Sequence, residues 1–202
     1  MRLTFRAALA CTVVLTFALT LTAAAPSSAT PHLASELLSV TQMPKGWSVQ
    51  SPSGNVNAGC LTNVVGLSNF LEAKGVTQTA RAKIFIEDNE SVPMVAEMLA
   101  TYSDPIAAYT KIVGTLAICK RVNGQIFGVN VTGTMKKWTF AHFASSSAAF
   151  VAHTSIMGTT FDEDVIIMRK GNVVMGIIEG GLPLVNARQF QGFVVKALAK
   201  VP

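Results

Sequence analysis

Charge is scarce in this chain: of 202 residues, only 13% are Asp, Glu, Lys or Arg. What charge there is lies scattered, with no run longer than the pairs Lys120-Arg121, Lys136-Lys137 and Arg169-Lys170. Nucleic acid recognition calls for a clustered basic face with aromatics among it, so that class is excluded. Histidine is rarer still, with His32, His142 and His153 the whole supply. There is no GxSxG nucleophile elbow, no HExxH pair and no glycine-rich phosphate loop. The three cysteines make no CxxC dithiol and no zinc framework. A triad would have to pair His142 or His153 with Ser155, Asp162 or Asp164. A metal site would need His142, His153 and Asp162-Glu163-Asp164, which lack a close ligand spacing such as HxH. The histidines read as ordinary strand residues and the acidic cluster as a solvated turn. The expectation is a protein that is not an enzyme, with no cofactor, no metal and no catalytic residue.

Turning to what is there, one long apolar run stands out, Ala7 to Leu21, behind the cations Arg2 and Arg6 and before the small-residue stretch TAAAPSSATP. A basic start, an apolar middle and a small-residue cleavage zone make a secretory signal peptide. A membrane anchor needs about 20 apolar residues; this run is shorter, carries several threonines and has no cationic stop-transfer after it. Cleavage after Ala29 fits the small-x-small pattern and leaves residues 30–202 as one domain. Cys11 suits a lipid anchor poorly, with only four apolar residues between it and Arg6. The mature chain holds 14 cations against 11 anions, a net charge of +3. It also holds two cysteines, Cys60 and Cys119. In an exported protein that even count reads as one disulfide; two buried thiols are the other reading.

Along the chain, Thr30-Pro31 with Leu33, Leu37 and Leu38 opens a short helix that stops before Met43-Pro44-Lys45-Gly46. Trp47–Gln50 reads as a strand and residues 51–59 as a loop. A helix carrying Val64, Leu67 and Leu71 follows Cys60. From Thr79 to Asp88, Ala80, Ala82, Ile84 and Ile86 alternate with Arg81, Lys83, Phe85 and Glu87, a strand with one buried face. Asp104-Pro105 caps a helix whose stripe is Ile106, Tyr109, Val113 and Leu116. Five strands then form an antiparallel meander: Gln125–Thr132, Thr134–His142, Ala148–Met157, Asp164–Arg169 and Asn172–Glu179. Lys170-Gly171-Asn172 is its best hairpin turn. Gly180-Gly181-Leu182-Pro183 ends the last strand, and Phe190, Phe193, Val194, Ala197, Leu198 and Val201 stripe a closing helix over 185–200. The fold class is α+β: an antiparallel sheet packed by a few helices on one side.

The order of these features, with "MPKGW" early, "VPMVAEMLATYSDPIAAYTKIVGTLAICKRV" in the middle and "DEDVIIMRKGNVVMGII" before the last helix, resembles a family. It is that of the actinobacterial secreted sensor-domain proteins akin to the extracellular domain of the mycobacterial kinase PknH. Proteins with a PsbP/Mog1-like fold are more distantly similar. The resemblance spans roughly residues 33 to 201. It implies an α+β domain with a solvent-facing cleft, a binding role and no catalysis, and a strand for Met94–Tyr102, a segment whose residues alone fit helix or strand. Relatives often carry a second disulfide, for which this chain has no cysteines.

The function expected is an exported, non-enzymatic, sensor-like domain that captures a small apolar or amphipathic ligand, or a lipid, in a cleft. Met94, Met98, Met157, Met168 and Met175 are soft, adaptable side chains suited to such a pocket or to an ordinary core. The alternative is an adaptor that docks an envelope or host protein. The destination is the cell envelope or the medium.

Overall fold

Strand β9, Val173–Gly181, is buried at every position, and a strand buried on both of its faces needs cover above and below the sheet. The computed structural model describes residues 33–50, 56–57, 60, 76–87, 93–126, 129–140, 143–144, 146–181 and 186–202, all of them in one compact unit, Pro31–Pro202. Among these residues the other strands are β1 (Trp47–Gln50), β2 (Val56–Asn57), β3 (Val76–Glu87), β4 (Met94–Tyr102), β5 (Arg121–Ile126), β6 (Val129–Trp138), β7 (Ser146–Ile156) and β8 (Thr159–Lys170). They form one antiparallel sheet in the order β1-β3-β4-β9-β8-β7-β6-β5-β2. The helices are α1 (Leu33–Glu36), α2 (Pro105–Ile118) and α3 (Ala187–Lys200), with a 3-10 turn at Val40–Gln42.

The helices take both faces, which corrects the expectation of cover on one side. On β4, Ala96, Met98, Ala100 and Tyr102 join the core under α2 with Leu116, Phe150, Val165 and Ile167. The alternate positions Val95 and Leu99 join the core under α1 and α3 with Leu33, Phe85, Ile166, Phe190 and Phe193. Period-two alternation thus delivers two apolar faces, each fully buried side chain contributing about 1.5–3 kcal/mol. Phe85, assigned by alternation to the solvent face, is fully buried for this reason.

Local chemistry sets the helices. The Asp104 side chain accepts from Ala107 N at 2.9 Å, with Pro105 next, and starts α2. Tyr109, Val113 and Leu116 face the sheet, but Ile106, placed in the same stripe, is 62% exposed. Asn186 caps α3 through Arg188 N. Lys170 Nζ donates to Leu198 O and Val201 O, satisfying carbonyls where α3 ends. Lys196 and Lys200 donate to the carbonyls of Gln42 and Leu37, tying α3 to the N-terminal segment.

The five-stranded meander is present with different turns. The first two strands are β5 and β6, and the break between them does not fall at Gly133, which lies inside β6 opposite Thr154. The β7–β8 hairpin turns at Met157-Gly158, with φ of 52° and 82°, the primed geometry that matches strand twist. Asp162-Glu163-Asp164 is therefore strand, and Glu163 and Asp164 are buried, which corrects the reading of a solvated turn. The Gly171-Asn172 turn stands where expected, Gly171 at φ 57°. Met157 is 85% exposed, so nothing there offsets the cost of a left-handed backbone on a side chain that lacks a local hydrogen bond. Met157→Asn is expected to stabilise the protein by about 0.5–1 kcal/mol. A thermal melt would show a rise of about 2–3 °C; no rise, or a fall, would count against this account of the turn.

β1 and β2 lie at opposite edges of the sheet, yet only five residues separate Gln50 from Val56. Six extended steps reach about 22 Å, whereas a flat sheet of nine strands is about 38 Å across. The sheet must coil until its edges approach. The predicted helix after Cys60 and the signal segment lie outside the described residues.

Candidate functional site

β6 stops at Trp138, opposite Ala149 of β7, while β7 reaches back three residues further to Ser146. That mismatch opens a cleft of about 270 Å³ lined in part by Lys137, Trp138, Phe140, Ala148 and Phe150, with Val113 of α2 beside them. Trp138 and Phe140, two residues apart, pack in a tilted pair with ring centroids 4.4 Å apart. Phe140 extends the cluster to Phe143 at 5.3 Å and to Phe190 of α3 at 6.0 Å. Phe150 is fully buried and forms a floor; Trp138, Phe140 and Phe143 are half-buried. Such an arrangement offers rings to an apolar guest at a water boundary. Ser147 and Thr139 add hydroxyls to the lining, and no carboxylate lines it among the described residues.

A second opening of about 510 Å³ lies beside Cys60, Ile118, Cys119, Lys120 and Arg121. It is shallow, and its floor is the bonded pair Cys60–Cys119, whose Cα atoms are 5.7 Å apart.

The residues singled out for catalysis or metal binding fall elsewhere. His153 Nδ1 lies 2.5 Å from Asp162 Oδ1 on the directly opposite position of β8, both side chains 44% exposed. No hydrogen bond joins His153 to Ser155 among the described residues, and the pair sits in neither cleft. His32 and His142 lie outside the described residues. No three His, Cys, Asp or Glu side chains converge to hold a metal ion among the described residues. Of the methionines, Met98, Met168 and Met175 are core, Met98 packing across Gly176, while Met157 caps a turn. None of them is among the described lining of either opening.

The strand placement of the acids has an electrostatic consequence. Burial, and then the neighbouring Asp162 charge, push the Asp164 carboxyl up to about 6, with His153 pulling the other way. Burial also raises Glu163, against the opposing effect of the bond it accepts from Thr154 Oγ1 at 2.9 Å. An unfolded aspartate titrates near 3.9. Between there and about 6 the folded state therefore holds the extra proton, so stability falls as pH rises through that window. Asp164→Asn is expected to flatten that slope and to stabilise the protein at pH 7 by about 2 kcal/mol. Urea unfolding at pH 4 and pH 7 tests the sign, and a wild type more stable at pH 7 than its variant would contradict it.

A solved structure with a similar fold decides the architecture. It is the extracellular domain of PknH from Mycobacterium tuberculosis, with a TM-score of 0.60 and 11% identity, covering 82% of this chain and 92% of that one. This chain shares the PknH extracellular fold. No protein-family model matches the chain, and no curated protein matches it in sequence. At this identity the likeness to PknH concerns the path of the backbone, so the aromatic cleft is judged on this chain's own residues.

The cleft was missed by sequence reasoning. Trp138 and Phe140 sat within a strand expected to run on to His142. The signal available was the aromatic pair Trp138 and Phe140, two apart and shortly before a stretch of small residues.

Proposed function

We propose that this chain is an exported, sensor-like binding domain that captures a small apolar or amphipathic molecule in the cleft at the ends of β6 and β7, and that it binds its ligand without transforming it. The observation that carries this reading is the half-buried ring cluster of Trp138, Phe140 and Phe143 beside an open space of about 270 Å³. Export is supported by the signal-like N-terminal segment, by a disulfide of the kind that persists in oxidising compartments, and by likeness to a domain described as extracellular. No helix among the described residues is long and apolar enough to cross a membrane. The family affiliation proposed is with the actinobacterial secreted sensor domains.

The test is native mass spectrometry of protein purified from its own host. The expected result is a chain beginning at Thr30 with a small mass that leaves on denaturation and extracts into organic solvent. Phe140→Ala should purify without that mass while melting cooperatively. A ligand-free wild type, together with no binding of any small apolar or amphipathic compound in a screen read by melting temperature, would overturn the reading.

A further inference from the structure

Among the described residues that line the cleft, the one charged side chain is a cation. Lys137 lines it directly, on the α2 face of β6 and opposite Phe150. Two residues beyond Ala148 on that face stands Ser146, opposite Arg169 of β8, whose Nη2 donates to Ser146 Oγ at 3.2 Å. Arg169 Nη1 donates to Gly171 O, and its Nε is buried with no acceptor among the described residues. Its positive charge reaches Tyr109, one turn before Val113 on α2. The apolar floor of Ala148 and Phe150 thus runs between Lys137 and the Arg169 end of β8, without a lining carboxylate among the described residues.

A site built this way discriminates by charge. A cation entering it would meet the Lys137 ammonium, and repulsion of the wrong partner contributes to selectivity alongside attraction of the right one. Size narrows the choice further. A volume of about 270 Å³ falls below the 300–1,000 Å³ usual for drug-sized ligands. It holds about nine waters at ~30 Å³ each, or a chain of about eight carbons of similar bulk.

From the lining cation, the aromatic wall and the small volume, we infer that the ligand is a small anionic amphiphile. Its apolar body lies on Trp138, Phe140 and Phe150, and its carboxylate or similar acid group meets Lys137. This rests on the cleft reading above and adds the charge of the guest to it.

The chain has two tryptophans, Trp47 and Trp138, so Trp47→Phe leaves Trp138 as the only indole and a direct reporter of the cleft. Octanoate, octanol and octylammonium, which share one tail and differ in head charge, are titrated against the emission of that variant. Octanoate is expected to bind at least fivefold more tightly than octanol, and octylammonium more weakly than either. In the Lys137→Glu background, which changes an exposed side chain, the order should invert, octanoate losing at least tenfold while octanol changes less than twofold. Equal binding of all three, unmoved by Lys137→Glu, would overturn the anionic assignment and leave the cleft reading standing. No change in Trp138 emission with any of the three, in protein shown to melt cooperatively, would overturn both.

Discussion

Gly133→Ala is expected to cost about 3 kcal/mol, more than most single changes that remove nothing from the protein. Gly133 lies in mid-strand, opposite Thr154, where β6 and β7 approach so closely that a Cβ would meet Thr154 Cα at 2.9 Å and collide with the carbonyl oxygen of His153. Both obstacles are backbone. A flexible side chain in the way would swing aside, but relief here requires the two strands to part, with loss of ladder hydrogen bonds on either side of the pair. The neighbouring Val131 and Met135 would be lifted from the core under α2 with the strand. The same substitution at Gly114 or Gly192, on helix surfaces with nothing within 4 Å of the added carbon, is expected to stabilise, by up to about 1 kcal/mol each. Denaturant unfolding of the three variants separates close approach from glycine's general backbone entropy. Equal effects at all three positions would rule out the steric account of Gly133.

What the sequence made legible was the chemistry that acts over a few residues. Asp104-Pro105 announces the start of α2, Lys170-Gly171-Asn172 a hairpin, and Phe190, Phe193, Val194 and Ala197 the buried stripe of α3, because caps, turns and helical periodicity are local. Three kinds of feature were illegible because a distant partner decides them. Gly133 looked like a break between strands, since the main chain of β7 that forbids a side chain there comes twenty residues later. Asp162-Glu163-Asp164 looked like a turn, since acids rarely lie buried in a strand; the true turn, Met157-Gly158, uses a residue with no turn preference. The two-sided cover of the sheet was hidden because β3 reads as alternating, yet both Phe85 and Ile86 are buried. The cleft belongs with these. Its rings are legible as residues, but the early end of β6 that exposes them is a property of the pairing with β7.

Removal of the Cys60–Cys119 bond carries the largest expected effect, a loss of about 4 kcal/mol. The two residues are 59 apart in sequence with Cα atoms at 5.7 Å, within the usual range for a disulfide. Closing a loop of that length lowers the entropy of the unfolded chain by an amount worth about 4 kcal/mol at 25 °C. Cys119 directly follows α2 and is 5% exposed, in the core that α2 forms with the sheet. The bond therefore anchors the end of the helix that covers one face, and α2 contributes Val113 to the cleft. The double variant Cys60→Ala/Cys119→Ala avoids leaving a lone thiol or burying a new hydroxyl. Its melting temperature is expected to fall by about 10 °C. Dithiothreitol should lower the wild type by the same amount and leave the variant unmoved, because the Cys60–Cys119 bond that it cuts is absent there. If the reductant moves both proteins equally, or neither, the bond does not stabilise the fold. A protein whose margin rests on a disulfide is stable where disulfides persist and marginal in a reducing cytoplasm. A larger fall in Trp138 ligand affinity than in the occupancy of the folded state would show that the bond also holds the cleft wall in place.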